Sequence, residues 1–161
     1  MGEALTFRYT IDGDDFTRAG EASSSVKNKL KQLGLDSDVI RKVAIAMYEG
    51  EINMVIHADG GEITVTVADS GITMVLADTG PGIPDVEQAM QEGWSTARAE
   101  VRSLGFGAGM GLPNMKKYTD EMQIDTVIGK GTTITMKVYI CLRGSGFCKR
   151  TDSGKRLLQT L

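Results

Sequence analysis

Apolar and polar residues alternate along several short segments of the chain. The segment 4–11, "ALTFRYTI", predicts an amphipathic β-strand with every second residue on one apolar face. Two further alternating runs, "EITVTVAD" and "ITMVLAD", are separated by Ser70-Gly71. "EMQIDTVI" and "GTTITMKVYI" are likewise separated by Gly129-Lys130-Gly131. Short glycine-containing links between alternating runs are typical of β-hairpins, so we expect five strands, four of them in two hairpins.

Helical periodicity dominates two other segments. Residues 16–33, "FTRAGEASSSVKNKLKQL", predict a helix that stops at Gly34. Residues 36–58, "DSDVIRKVAIAMYEGEINMVIHA", predict a second helix that opens with an Asp/Ser cap. "DVEQAMQEG" predicts a short helix, and "MGLPNMKKYTD" the start of another. Residues 93–109 show neither period, and a loop of that length is usually functional or disordered.

The order of these elements predicts an α+β protein. Strands and helices come in separate runs, which favours a two-layer α/β sandwich with helices on one face of a mostly antiparallel mixed sheet. Residues 1–140 would form this domain. Residues 141–161 carry five basic residues and one acidic residue, a charge of +4, and we expect a flexible, solvated tail there.

Bulk properties narrow the class of protein. The 161 residues suffice for one domain, and the net charge of −3 with a pI of about 5.2 gives no field that would favour nucleic acid or an anionic membrane. The N-terminus lacks a signal-peptide pattern, and no window approaches a membrane span. Cys141 and Cys148 are too few for a disulfide framework. We therefore expect a cytoplasmic protein with free thiols.

The second predicted helix carries the first candidate chemistry. Glu49, Asn53 and His57 are four residues apart and share one face, offset from the apolar stripe. A carboxylate and a carboxamide one turn apart suit a hydrated Mg²⁺ and the nucleophile beside it. Taken alone, these residues are better explained as a solvated helix face, because an E-x-x-x-N spacing is common by chance. Glu51 points away from that face, and we expect it to be solvated. Gly50 is a poor helix residue.

Two glycine-containing turns are further candidates. In Asp78-Thr-Gly-Pro-Gly-Ile83, the aspartate ends an apolar strand, where its carboxylate would be able to accept a hydrogen bond from an exocyclic amine. The glycines permit close backbone approach, although a plain strand-to-helix turn looks the same. Gly105-Phe-Gly-Ala-Gly-Met-Gly-Leu112 precedes a helix start and so favours an anion site. Neither the G-x-x-x-x-G-K-[ST] nor the G-x-G-x-x-G pattern fits it.

The ordered set is more specific than its parts. A helix with E-x-x-x-N, a strand ending in D-x-G-x-G, a glycine-rich loop before a helix and a G-x-G-T hairpin together resemble the Bergerat-fold (GHKL) ATPases. The resemblance covers about residues 4–140. The compact size, the first strand and residues 91–122 look most like the anti-sigma-factor serine/threonine kinases of the switch-kinase branch.

The resemblance implies a role for particular residues. Glu49 would be the general base, and Asn53 would ligate Mg²⁺ beside ATP. Asp78 would bind the adenine amino group with support from Thr132. Glycines would line the nucleotide: Gly80 and Gly82 on the adenine and ribose side, and Gly107, Gly109 and Gly111 around the phosphates. Arg98 and Arg102 are candidates for the γ-phosphate from charge and position alone. His57 receives no catalytic role, and Trp94 is expected to be a hydrophobic plug.

Three functions remain open from the sequence. The first is a Mg-ATP-dependent protein serine/threonine kinase that phosphorylates a small STAS-domain antagonist. The second is an ATP-dependent anti-sigma or partner-binding module, with a sigma-factor-like partner, in which ATP orders the docking surface and catalysis is slow or absent. The third, the catalytic half of a histidine kinase, lacks a helical dimerisation segment with its own phosphoacceptor histidine. The resemblance also implies a possible homodimer. The charge and the lack of a membrane-length apolar window predict no nucleic-acid or membrane partner.

Overall fold

The computed structural model describes residues 2–13, 15–95, 97, 99 and 109–140. Its elements occur in the predicted order. The strands are β1 (Leu5–Asp12), β2 (Gly60–Ala68), β3 (Gly71–Asp78), β4 (Glu121–Val127) and β5 (Gly131–Tyr139). The described helices are α1 (Glu21–Gln32), α2 (Ser37–His57), α3 (Val86–Ala89) and α4 (Gly111–Tyr118).

The strands form one sheet in the order β1-β2-β3-β5-β4. Both expected hairpins, β2–β3 and β4–β5, are present. Every ladder among the described strands is antiparallel, so the parallel pairing that a mixed sheet would contain is not found in this part of the chain. The α+β sandwich is thus confirmed, with a sheet that is more regular than expected.

The helices cover one face of the sheet. Alternate residues of the central strands point into the layer between sheet and helices, as period-two patterning requires. The buried strand residues include Ile63, Val65, Ile72, Met74, Leu76, Ile134, Met136 and Val138, and the helices contribute Val26, Leu30, Val43 and Met47. The opposite face carries half-buried threonines, among them Thr64, Thr66, Thr73, Thr133 and Thr135. Because one face of the sheet is apolar and the other carries hydroxyl groups, the core lies on the helix side.

Helix boundaries show one clear departure from the sequence prediction. α2 begins as expected, with the Asp36 side chain accepting a hydrogen bond from the Asp38 amide. α1 begins at Glu21 and not at Phe16, so the predicted start was five residues early. Gly20 precedes it with φ +95°, a left-handed conformation that interrupts any helix arriving from Phe16.

Some predictions fall on residues that the structure does not describe. The tail 141–161, with Cys141 and Cys148, lies outside the described residues, as do Arg98, Arg102, Gly105 and Gly107. Among the described helices, none combines the length and the apolar character needed to cross a membrane.

Candidate nucleotide and phosphoryl-transfer site

Glu49 and Asn53 project from α2 toward the start of α4. Both side chains are half-buried. The Asn114 amide nitrogen donates a hydrogen bond to Glu49 Oε1 at 3.2 Å. Gly111 lies against Asn53 so closely that a Cβ there would be 3.1 Å from both Nδ2 and Oδ1 of Asn53. The structure therefore brings the predicted carboxylate and carboxamide together with the helix that follows the glycine-rich loop.

Asn114 was missed by sequence reasoning. It lies three residues after Gly111 on α4, so both face the same side of that helix. The signal in the sequence was its position three residues after Gly111, a glycine that the family resemblance places beside the phosphates. Its hydrogen bond holds one Glu49 oxygen, and no described residue donates to the other.

The predicted glycine-rich segment is described only from Gly109 onward. Gly109 has φ +77° and accepts a hydrogen bond from the Gly93 amide at 3.0 Å. A Cβ at Gly109 would overlap the Gly93 carbonyl carbon, so the glycine permits this close approach. Trp94, next to Gly93, is half-buried and packs against the hydrophobic core, which agrees with the plug interpretation. Among the described residues, no side chain caps the first turn of α4. Pro113 has no N–H, so this turn offers the backbone amides of Gly111 and Leu112, and Gly111 lies beside Asn53. Positive potential at this helix start favours anions.

Asp78 ends β3 and is held by two backbone amides. Its Oδ1 accepts hydrogen bonds from Gly80 N at 2.9 Å and from Thr132 N at 3.1 Å. Both bonds use the same oxygen, and no described residue donates to Oδ2. The Thr132 hydroxyl is paired with Thr126 Oγ1 at 2.9 Å, so Thr132 contacts the carboxylate through its backbone. The half-buried carboxylate thus has a fixed direction and an available acceptor oxygen.

The glycines around Asp78 are required by packing within the chain. A Cβ at Gly80 would lie 2.7 Å from Ala58 Cβ, and one at Gly82, where φ is +82°, 2.8 Å from the Val127 carbonyl oxygen. The Gly129 amide donates to the Pro81 carbonyl at 2.9 Å. The loop is thereby fixed between the end of α2 and the β4–β5 hairpin. This packing is enough to explain both glycines without a ligand.

Glu51 corrects another expectation. It is 1% exposed and not solvated, and its carboxylate accepts three backbone hydrogen bonds from the start of α1. The sequence held a signal for its burial, because Val43, Met47, Glu51 and Val55 are spaced four apart and continue one apolar stripe.

Gly50 and His57 flank these polar groups on α2. A Cβ at Gly50 would overlap Leu76 Cδ2, so α2 and β3 pack closely at this point, which explains a poor helix former inside α2. His57 lies in the last turn of α2, and partial desolvation lowers the pKa of its imidazole below the usual range. Neither its position in the last turn nor its lowered pKa gives His57 a part in the chemistry.

Metal binding by protein groups alone is not supported in the described part of the chain, where no three acidic, histidine or cysteine side chains cluster. Mg²⁺ is usually held by one or two protein oxygens together with substrate phosphates. The Glu49 and Asn53 oxygens fit that donor set. Two grooves on the described surface flank α1, and Asp78 lines neither of them.

Comparison with known families shows which family this chain belongs to. The profile of the histidine kinase-like ATPase domain matches residues 14–138, and the chain belongs to this family. The resemblance to the GHKL ATPases is thereby confirmed. Because the family is one of ATPase domains, it implies that this chain binds ATP.

Its relatives include protein kinases and anti-sigma factors. The chain is 34% identical over 112 residues to "Serine/threonine-protein kinase RsbT" of Bacillus subtilis, covering 67% of this chain and 78% of that protein. It is 35% identical over 141 residues to "Anti-sigma F factor" of Caldanaerobacter subterraneus subsp. tengcongensis, covering 84% and 92%. The RsbU and RsbW domains of Rv1364c from Mycobacterium tuberculosis share the fold, with a TM-score of 0.56 and 20% identity over 84% of this chain and 32% of that one. The mycobacterial sensor histidine kinase MprB has a TM-score of 0.50, with 15% identity, 84% of this chain and 98% of that chain covered.

Proposed function

We propose that the protein is a Mg-ATP-dependent serine/threonine kinase of the partner-switching type, whose substrate is a small STAS-like antagonist protein. One observation carries the proposal. Glu49 and Asn53, one helical turn apart on α2, both face the start of α4, and Asn114 on α4 orients the Glu49 carboxylate. A base and a metal ligand directed at an anion-favouring helix start are the parts that phosphoryl transfer needs.

The remaining candidate residues fit a nucleotide that lies between Asp78 and α4. Asp78 would accept a hydrogen bond from the adenine amino group at Oδ2, while Gly80 N and Thr132 N keep Oδ1 in place. Gly80 and Gly82 would border the adenine and ribose, and Gly107, Gly109 and Gly111 the phosphates. Asn53 would hold Mg²⁺ together with phosphate oxygens, and the ion, when bound, neutralises charge on the transferred group.

The reaction would move one phosphoryl group. The bond between the γ-phosphorus and the bridging oxygen of ATP breaks, and a bond from phosphorus to the partner's serine or threonine oxygen forms. The hydroxyl proton passes to Glu49, whose Oε1 is held by Asn114. The products are ADP and a phosphoprotein. Most of the catalytic effect would come from positioning and charge neutralisation.

The relatives suggest the kind of partner. RsbT is named a serine/threonine-protein kinase, and several other relatives are named anti-sigma F factors. Either a STAS-domain antagonist or a sigma-factor-like protein would therefore bind this chain, and both would be met in the cytoplasm. The homodimer stays a prediction.

The test is transfer of label from ATP. The protein is incubated with γ-³²P-ATP and Mg²⁺ together with each STAS-domain protein of its own organism, and labelled serine or threonine is mapped. We expect one of them to be labelled, with loss of label in Glu49→Gln. Glu62→Gln is the matched control, since Glu62 is exposed on the face of the sheet opposite the helices. Tight ATP binding without transfer to any of them would refute the kinase.

A second function has its own support. Several relatives at 27–36% identity are named anti-sigma F factors, which favours an ATP-dependent partner-binding module with little or no catalysis. Glu49→Ala separates the two functions. If this variant binds the partner and regulates it as the wild type does, the binding module is the correct function.

A further inference from the structure

Glu51 is a buried carboxylate whose two oxygens are both engaged by another helix. Oε1 accepts hydrogen bonds from Gly20 N at 3.0 Å and Ala22 N at 3.2 Å, and Oε2 accepts one from Ser23 N at 3.0 Å. A carboxylate that is 1% exposed would be costly without such partners. Three backbone donors and the positive end of α1 compensate that cost.

This contact replaces the ordinary cap of α1. Gly20 occupies the capping position and has no side chain to offer, so the first N–H groups of the helix depend on a residue from α2. Ser23 Oγ donates back to the Gly20 carbonyl at 3.0 Å, and Tyr48 lies 3.1 Å from where a Gly20 Cβ would be. The start of α1 is therefore fixed to α2 in one orientation.

The same residue lies between the two groups assigned to catalysis. Two steps along an α-helix turn by roughly 200° and rise by about 3 Å. Glu51 is two residues from Glu49 and two from Asn53, so it leaves α2 on the side opposite to both. Asn114 and Gly111 of α4 contact the Glu49 and Asn53 side, whereas α1 contacts the Glu51 side. α2 is thus held by polar or close contacts on both flanks.

We propose that Glu51 is a positioning residue for phosphoryl transfer. By binding the first turn of α1, it fixes the rotation and the axial position of α2 and so aims Glu49 and Asn53 at the nucleotide. An apolar residue would be able to fill the space, but only a carboxylate specifies the direction in which α1 meets α2. The inference rests on the proposed function, because it assigns Glu51 a task within that same site.

The experiment compares three variants with the wild type. Glu51→Gln replaces an acceptor oxygen with a donor that faces a backbone N–H, and Glu51→Asp keeps the charge but shortens the reach. Glu21→Gln is the matched control, because it removes one negative charge at the first turn of α1 from a side chain that is 61% exposed and is bonded to Arg18. The folded fraction of each is measured by near-ultraviolet circular dichroism, and every rate is expressed per folded molecule.

Two readouts are taken for each protein. The first is kcat and KM for ATP in transfer to the STAS-domain protein that the wild type labels. The second is the Mg²⁺ concentration at half-saturation of binding of a fluorescent ATP analogue, which needs no transfer. For both Glu51 variants we expect kcat to fall by about tenfold or more, since small misplacements of a reacting group have effects of this size. We also expect the Mg²⁺ midpoint to rise by about threefold or more, with Glu21→Gln unchanged.

The outcomes separate the inference from the proposed function. If melting temperature falls in the Glu51 variants but kcat per folded molecule and the Mg²⁺ midpoint stay within twofold of the wild type, Glu51 is only structural and the inference is wrong. If the wild type binds the analogue but labels no partner, the kinase proposal fails, and the Mg²⁺ midpoint alone decides about Glu51. Equal losses in Glu21→Gln would likewise overturn the inference, because charge at the helix start would then be the cause.

Discussion

The amide nitrogen of Asn114 donates a hydrogen bond to Glu49 Oε1 at 3.2 Å, across 65 residues of chain. It joins the helix that would cradle the phosphates to the residue that would accept the proton. Because α4 follows the glycine-rich segment directly, any change in that segment that moves α4 also moves the hydrogen-bond partner of Glu49. Glu49 therefore depends on α4 for its orientation as well as on α2.

Asn114→Ala removes this bond and leaves the Glu49 carboxylate free to rotate. A hydrogen bond to a charged group contributes about 1.5–3 kcal/mol when buried. At this half-buried position we expect kcat for phosphoryl transfer to fall by about threefold to tenfold, with a smaller change in KM for ATP. Steady-state kinetics of labelled transfer measure both constants.

Asn28→Ala on the exposed side of α1 is the control for Asn114→Ala, and it is expected to leave kcat unchanged. An Asn114→Ala variant with wild-type kcat would show that the bond has no part in orienting Glu49.

Gly50→Ala tests the close packing of α2 on β3. Alanine is a better helix former than glycine by about 1 kcal/mol, but the added methyl group would overlap Leu76 Cδ2. Overpacking of a core costs about 1–3 kcal/mol, so we expect a net loss of stability in urea unfolding.

The sign of that effect should reverse when Leu76 is shortened. In a Leu76→Ala background the space is open, and Gly50→Ala is expected to stabilise by up to about 1 kcal/mol. A destabilisation of equal size in both backgrounds would contradict the packing explanation.

Local patterns predicted most of the fold. Alternation defined the five strands because one face of the sheet is buried against helices and the other carries threonines. The Asp36 cap and the glycine at position 34 bounded the helices for similarly local reasons. The start of α1 was not predictable in this way, because it is set by the left-handed Gly20 and by a carboxylate 28 to 31 residues away.

The candidate site shows the same division. That Glu49 and Asn53 share a face is predictable from the period of a single helix, and the place of Asp78 is predictable from the end of a single strand. The donors that fix them, Asn114 for Glu49 and Thr132 N for Asp78, come from elements 54 to 65 residues away. No local period encodes such contacts, since they depend on how the layers pack.

Asp78→Asn tests the assignment of the adenine subsite. The asparagine carbonyl oxygen would still accept the Gly80 and Thr132 amides, so we expect a melting temperature close to that of the wild type. The other position becomes an NH₂ group, which is unable to accept a hydrogen bond from an amine. ATP affinity should therefore fall by about tenfold or more, as measured by isothermal titration calorimetry.

Asp69→Asn provides the comparison for Asp78→Asn, because Asp69 is exposed in the β2–β3 turn and should leave ATP affinity unchanged. If Asp78→Asn binds ATP with wild-type affinity, Asp78 does not bind the adenine amino group.

We expect His57 to make the stability of the protein depend on pH. Partial desolvation lowers the pKa of His57 in the folded protein below its ordinary value of 6.5. The unfolded chain then binds more protons than the folded one in the interval below pH 6.5, so stability rises with pH there. The contribution of the neutral imidazole is fully present above about pH 6.5 and is lost as the pH falls through the folded-state pKa.

Melting temperatures of the wild type and His57→Gln between pH 5 and 7.5 measure this effect. We expect the wild type to lose more stability than the variant below pH 6.5, because both share every carboxylate and differ only in this group. Parallel curves would mean that His57 titrates alike in the folded and unfolded states.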